Sequence, residues 1–397
     1  MRDSSVVVLL RVPSYDRRAV AAAVRRSLAA LGPGGPRLAP PLPADASVNG
    51  APAAPGSGPV LLKPNLLAPV PPEQGATTHP AVFAETARAL QEAGYDLAYG
   101  DSPSFGHRLS SAARRCGLAS EADRLGIPLA EFERGADASW PGAVVHRHFH
   151  VAGSVLGARA LVNLPKLKTH GLTTLTGALK NTFGVIPGFR KPEYHVTHPD
   201  LAGFSRVLAD LNGLVRSALV VMDAIHAMEG NGPRGGTIVP LGLLIVSDDP
   251  VAVDAVACRL VGVDPERMPV LRMAEEAGVG WADRGRIELR GDPVDGLPTR
   301  RFVLPPVHFA RRLPGFLFRA AKGFMVPKPS IVASHCRRCG ECVAACPVRP
   351  KALSQEPGAV PRYAYGRCIR CCCCLESCPH RAIEMIPAPL AGLFDRG

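Results

Sequence analysis

Ten of the twelve cysteines in this 397-residue chain lie beyond residue 335, and they repeat one spacing. Cys336-x2-Cys339-x2-Cys342-x3-Cys346-Pro347 is followed by Cys368-x2-Cys371-x2-Cys374-x3-Cys378-Pro379. Three thiolates at this spacing hold three corners of a [4Fe–4S] cube, and the fourth cysteine of each run crosses over to the other cluster. The pattern therefore predicts two [4Fe–4S] clusters. Cys336, Cys339, Cys342 and Cys378 hold one; Cys368, Cys371, Cys374 and Cys346 hold the other. Only one register within 368–378 fits, which leaves Cys372 and Cys373 outside both sets. They are either small polarisable packing residues or thiols with a redox or ligand-exchange role. Paired C-x2-C spacings also occur in zinc sites, but zinc does not call for four cysteines plus proline, twice. The chemistry implied is one-electron transfer. Arg337, Arg338, Arg367 and Arg370 stand among the cysteines, where positive charge raises cluster potentials or docks an acidic donor.

A second concentration of reactive side chains follows apolar runs upstream. Lys63 and Asn65 follow "VLL", with Thr77, Thr78 and His79 further on. Asp101 and Ser102 follow "YDLAY"; Lys166, Lys168, His170, Lys180 and Asn181 follow "ALVNL". Asp223, Glu229, Asn231 and Arg234 follow "ALVVM". Ligands of open parallel sheets bind at the carboxyl ends of strands, so these loops are expected to share one mouth. Lys166, Lys168 and His170 are the catalytic candidates, since a histidine or lysine there can move a proton. Lys63, Asn65, Lys180 and Asn181 are the substrate-binding candidates, because such lysines suit a carboxylate or phosphate. The competing reading is that the loop lysines are merely solvated and that Asp223 and Glu229 cap helices or form turns. "HRHFH" puts His146, His148 and His150 on one face of a strand, which is either a metal site or an exposed edge strand.

The elements that must position these residues alternate between strand and helix from about residue 60 to 290. "PVLLKPN" reads as a strand and "HPAVFAETARALQEAG" as a helix with Pro80 in its first turn and Gly94 closing it. Asp249 is the expected N-cap of a helix from Pro250. Such alternation predicts an α/β fold with a mostly parallel sheet flanked by helices, over 1–304. A small α+β ferredoxin-like domain over 331–397 follows it. Residues 32–59, rich in Pro, Gly and Ala, read as a flexible insertion. Residues 305–330 read as a basic, apolar connector that either packs one domain on the other or makes peripheral membrane contact.

The start, "MRDSSVVVLLRVPSYD", reads as a first strand and not a signal peptide, and no apolar run is long enough to span a bilayer. With cysteines gathered at one end instead of spread as a disulfide framework, a reducing cytoplasmic setting is expected. The formal charge of +12 favours anionic partners. It is spread along the chain, however, with no aromatic-interleaved basic stripe and no helix-turn-helix signature, which argues against nucleic acid. No G-x-G-x-x-G follows the first strand, so a dinucleotide fingerprint is absent.

"NLPKLKTHGLTTLTGALKNTFGVIPG", "MEGNGPRGG", "SDDPVAVDAVACRLVG" and the double cysteine run together resemble the DUF362 family of iron–sulfur proteins. The resemblance covers roughly residues 60–280 and the ferredoxin-like tail. It implies the architecture and the clusters and supplies no substrate. Two functions follow. In the first, an oxidoreductase passes electrons between two [4Fe–4S] clusters and an anionic small molecule. In the second, an electron carrier or assembly module acts on a redox partner protein.

Overall fold

Branched apolar runs that are buried on both faces, such as Val60–Leu62 and Leu219–Met222, form the interior of a sheet covered on two sides. The computed structural model describes residues 3–32, 38–54, 56–104, 106–188, 190–293, 299–305 and 327–386. In chain order the strands are β1 (Ser5–Arg11), β2 (Ser47–Val48), β3 (Ala51–Pro52), β4 (Val60–Pro64), β5 (Leu97–Tyr99), β6 (Gly135–Ser139) and β7 (His148–Ala152). They continue with β8 (Ala160–Leu164), β9 (Lys166–His170), β10 (Thr174–Thr176), β11 (Leu219–Glu229), β12 (Thr237–Ser247) and β13 (Ile287–Gly291). The cysteine-rich tail adds β14 (Lys328–Ile331), β15 (Leu353–Ser354), β16 (Arg362–Tyr363) and β17 (Ile383–Ile386).

The central sheet runs β13-β1-β12-β11-β8-β4-β5, with β9 on β11 and β10 on β9. Five of its pairings are parallel and three antiparallel, as the alternating pattern predicts. One face packs on the helices Arg17–Ala30, Pro80–Glu92 and Leu118–Leu125 through Val20, Val82 and Phe83. The other packs on Leu201–Leu214, Pro250–Leu260 and Pro269–Glu276 through Leu208, Val253 and Leu271. The helix starts follow local chemistry. His79 Nδ1 accepts from Ala81 N at the Pro80 helix, and Asp249 accepts from Val251 N and Ala252 N.

The insertion read as flexible is built differently. Its Asn49–Gly50 pair, with both φ positive (50° and 81°), makes the two-residue turn of a hairpin. β2 pairs with β3 and with β6, in a four-stranded antiparallel sheet of order β3-β2-β6-β7. Ala46 is buried in the core beside it. The Asn-Gly signal is present in the sequence; the surrounding Pro and Ala residues obscure it. β7, carrying His148 and His150, is an edge of this sheet. His150 bonds Asp137, while the His146 ring lies among Phe149, Tyr194 and His198, so the three imidazoles do not converge.

In the tail, β14 pairs with β17 and β15 with β16, around the short helices Glu341–Ala344 and Cys373–Ser377. Most of the connector read at 305–330, residues 306–326, lies outside the described residues. Among the described residues no helix is long and apolar enough to cross a membrane.

Candidate functional site

The carboxyl ends of β4, β5 and β9 face the tail helix Cys373–Ser377 across a cavity of about 70 Å³. Asn65, Lys168, His170, Lys180 and Asn181, all expected at the site, line it together with Asp101 and Ser102. Lys191 and His195 enter from the helix Lys191–Thr197, and Cys373, Glu376 and Ser377 close the opposite wall.

Lys168 is fully buried, with Nζ donating to Asn65 Oδ1 (2.9 Å) and to the Ala76 carbonyl (2.6 Å). Burial pulls its pKa down to about 7, against the opposing charge of Glu376. A neutral lysine has two N–H donors, both matched here, so its lone pair is left for the cavity. Asn65 is oriented by an amide chain: its Nδ2 donates to Asn181 Oδ1, and Asn181 Nδ2 donates to Asn163 Oδ1. That chain fixes the otherwise ambiguous amide orientations. Burial likewise brings Lys191 down to about 7, and it donates to the carbonyls of Ser102 and Pro103.

His170 is committed on both ring nitrogens. Nδ1 accepts from Leu172 N and Thr173 N, so Nε2 carries the proton and donates to Glu376 Oε1 at 2.8 Å. His170 thus ties the cavity wall of the α/β domain to Glu376 of the tail. Burial alone would raise the Glu376 pKa; the Lys180 charge and the His170 hydrogen bond outweigh it and hold the carboxyl well below its usual range. Burial holds His195 neutral, with a pKa of about 3, stacked on Phe204 at 4.4 Å. Its Nδ1 and the Thr176 hydroxyl are buried with no hydrogen-bond partner among the described residues. Both residues line the cavity. Buried polar atoms are normally satisfied, so these two mark places for a ligand's polar atoms.

Two expected residues stand elsewhere. Lys63 lies behind the wall, paired with Asp101 at 2.8 Å in an electrostatic contact that is off the axis of a hydrogen bond. A Cβ on Gly184 would come within 1.9 Å of Asp101 Oδ1, so glycine is what lets this pair fit. Removing one partner of such a buried pair costs about 3–5 kcal/mol. Lys166 is paired with Asp223 at 2.8 Å and with Tyr15 Oη at 2.6 Å, in a satisfied cluster where Tyr15 stacks on His79. The reason is local. β11 advances from Asp223 to Met228 while β9 advances only from Lys166 to Lys168, a register shift that sets Asp223 directly opposite Lys166. Glu229 is likewise structural, bonded to Arg300 and to Val303 N.

Lys191, His195, Thr176 and Glu376 were missed. No spacing motif flags the first three, and Glu376 sits inside a run whose cysteines drew the reading.

The two cysteine sets surround two further cavities. Cys336, Cys339, Cys342 and Cys378 line one; Cys346, Cys368, Cys371 and Cys374 line another, with Cys372 beside them. Arg338 N and Ala382 N point to Cys336 and Cys378 sulfurs, and Ala352 N and Tyr363 Oη to Cys346 and Cys374. Donors aimed at sulfur suit thiolate ligands. Among the described residues no group of three or more His, Cys, Asp or Glu is arranged for a single metal ion. The residues fit [4Fe–4S] groups.

Comparison with known families agrees with this architecture. Residues 60–259 match the domain of unknown function DUF362, and residues 328–379 match a 4Fe-4S dicluster domain. The chain belongs to the DUF362 family. A thylakoid-associated protein of Synechocystis sp. is 33% identical over 274 residues, covering 69% of this chain and 79% of that protein. No solved structure matches the chain. In this DUF362 protein the dicluster domain is seated on the α/β domain by specific contacts. Gly171 abuts Cys372, whose sulfur would lie 3.2 Å from a Cβ there. Asn231 Nδ2 donates to the Ile383 carbonyl, and the buried Arg234 reaches the Glu376 carbonyl and lies near Cys378. Cys372 is thus an interface packing residue, whereas Cys373 faces the cavity.

Proposed function

We propose that this iron–sulfur protein is an oxidoreductase whose interdomain cavity binds an anionic small molecule and exchanges electrons with it. One observation carries the reading. The helix Cys373–Ser377 gives Cys374 to a cysteine quartet and Cys373, Glu376 and Ser377 to the wall of the lysine-lined cavity. Electron-transfer ligands and an anion-binding, proton-active pocket therefore share one short element.

Two [4Fe–4S] clusters, held by the quartets above, supply one-electron transfers. Lys180 and the protonated fractions of Lys168 and Lys191 attract the anionic group. Lys168, titrating near neutrality, gives or takes the proton that accompanies electron transfer. His170 holds Glu376 away from the substrate's charge. Thr176 Oγ1 and His195 Nδ1 bond the substrate's polar atoms, and the apolar Leu67 and Phe183 exclude water around it.

The test is anaerobic. The reduced protein is followed by its visible absorption while small-molecule and protein extracts of the host are added separately. Reoxidation by small molecules, lost in Lys168→Met with its iron content intact, is the expected result. Reoxidation by the protein fraction alone would replace the enzyme with a carrier.

A further inference from the structure

The two quartets differ in access. Cys339 is exposed and Cys336 half-buried, whereas Cys346, Cys368, Cys371 and Cys374 are all buried. The open side of the first quartet is edged by Arg337 and His380, which line its cavity, and by the exposed His335 and Arg338. Arg381 is half-buried beside them. The nearby acid Glu341 is half-buried, its carboxylate 3.2 Å from where a Cβ on the α/β domain's Gly106 would lie, and Glu384 is exposed on β17. Residues 327–386 carry nine Lys and Arg against four Glu, and Arg337 and Arg338 stand exposed where Cys339 reaches solvent.

We infer that the face formed by His335, Arg337, Arg338, Cys339 and His380 is the docking surface for an acidic one-electron carrier protein. The carrier would lose one electron at each encounter, and the [4Fe–4S] cluster that the Cys339 quartet would hold is the acceptor. Charge complementarity selects the acidic partner, because opposite potentials steer encounter and fix orientation. Exposure of Cys339 selects this face over the second quartet, whose four cysteines are buried, with Tyr363 on Cys374 and Ala352 on Cys346. The inference does not depend on what the interdomain cavity binds.

Binding of an acidic flavodoxin to the cluster-loaded protein, measured by anaerobic calorimetry at several salt concentrations, tests it. The expected dissociation constant rises by about tenfold between low and physiological salt, since exposed charge pairs are screened over about 8–10 Å. Arg337→Gln with Arg338→Gln is expected to weaken binding by about tenfold at low salt, with unchanged iron content and visible spectrum. The same charge change at Arg267 and Arg272, on the far helical layer, should leave binding unaltered. Salt-independent binding of the wild-type protein, which requires no variant to fold, would overturn the inference. Equal weakening in the two double variants would do so too, because it would make net charge and not this face the cause.

Discussion

The two cysteine quartets repeat one spacing and each line a cavity, yet they stand in different surroundings. One opens to solvent through Cys339 under a fringe of arginine and histidine. The other lies against Gly171 and shares its helix with the wall of the lysine-lined cavity. Under the two proposals above, identical ligand chemistry would take two roles set by its neighbours: one quartet would meet a carrier protein and the other a small molecule.

The comparison breaks most sharply if one ligand is removed from each side. Cys374→Ser should abolish reoxidation by the small-molecule fraction while the flavodoxin complex still forms with unchanged salt dependence. Cys339→Ser should reduce electron uptake from the carrier but leave the interdomain cavity able to bind its anion. Iron analysis and electron paramagnetic resonance verify that each variant has lost one cluster only. Equal loss of both functions in both variants would mean that the quartets are not differentiated.

A smaller effect sharpens the role of the cavity. Lys168 and Lys191 titrate near 7 because they are buried, so binding of an anion such as sulfate, which keeps its charge, takes up protons above that pH. Its dissociation constant, measured by calorimetry, should rise as pH increases from 6 to 8, approaching about tenfold per unit for each proton taken up. Lys168→Met should remove one proton's share of that slope. Stability runs the other way. With folded pKa values depressed from 10.5, the unfolded chain binds more protons between about 7 and 10.5, so these two lysines make stability rise with pH in that window. For these two lysines, anion affinity falls and their stability contribution rises over the same pH window.

How much of this was readable depended on the range of the interactions involved. The cysteine ligands were legible because coordination fixes spacing locally. Asn65, Lys168, Lys180 and Asn181 were legible because strand ends of a parallel sheet gather at one edge. Lys63 and Lys166 do not line the cavity, because each is drawn into a buried ion pair, with Asp101 and Asp223, that local spacing does not announce. His195 and Lys191 carry no spacing signal, and Glu376 acquires meaning only when its helix meets His170 from the other domain. The β2–β3 hairpin was announced by Asn49–Gly50 amid residues that otherwise suggest a linker.

The most direct test of the central claim is a redox titration of the loaded protein, monitored by electron paramagnetic resonance, with and without saturating sulfate. The signal missing in Cys374→Ser identifies the quartet beside the cavity. An anion bound against Lys168 and Lys180 should lower the potential of that signal, because added negative charge disfavours reduction nearby, and should leave the Cys339-containing quartet unshifted. Equal shifts of both signals, or none in either while calorimetry shows sulfate bound, would contradict the coupling of one quartet to the interdomain cavity.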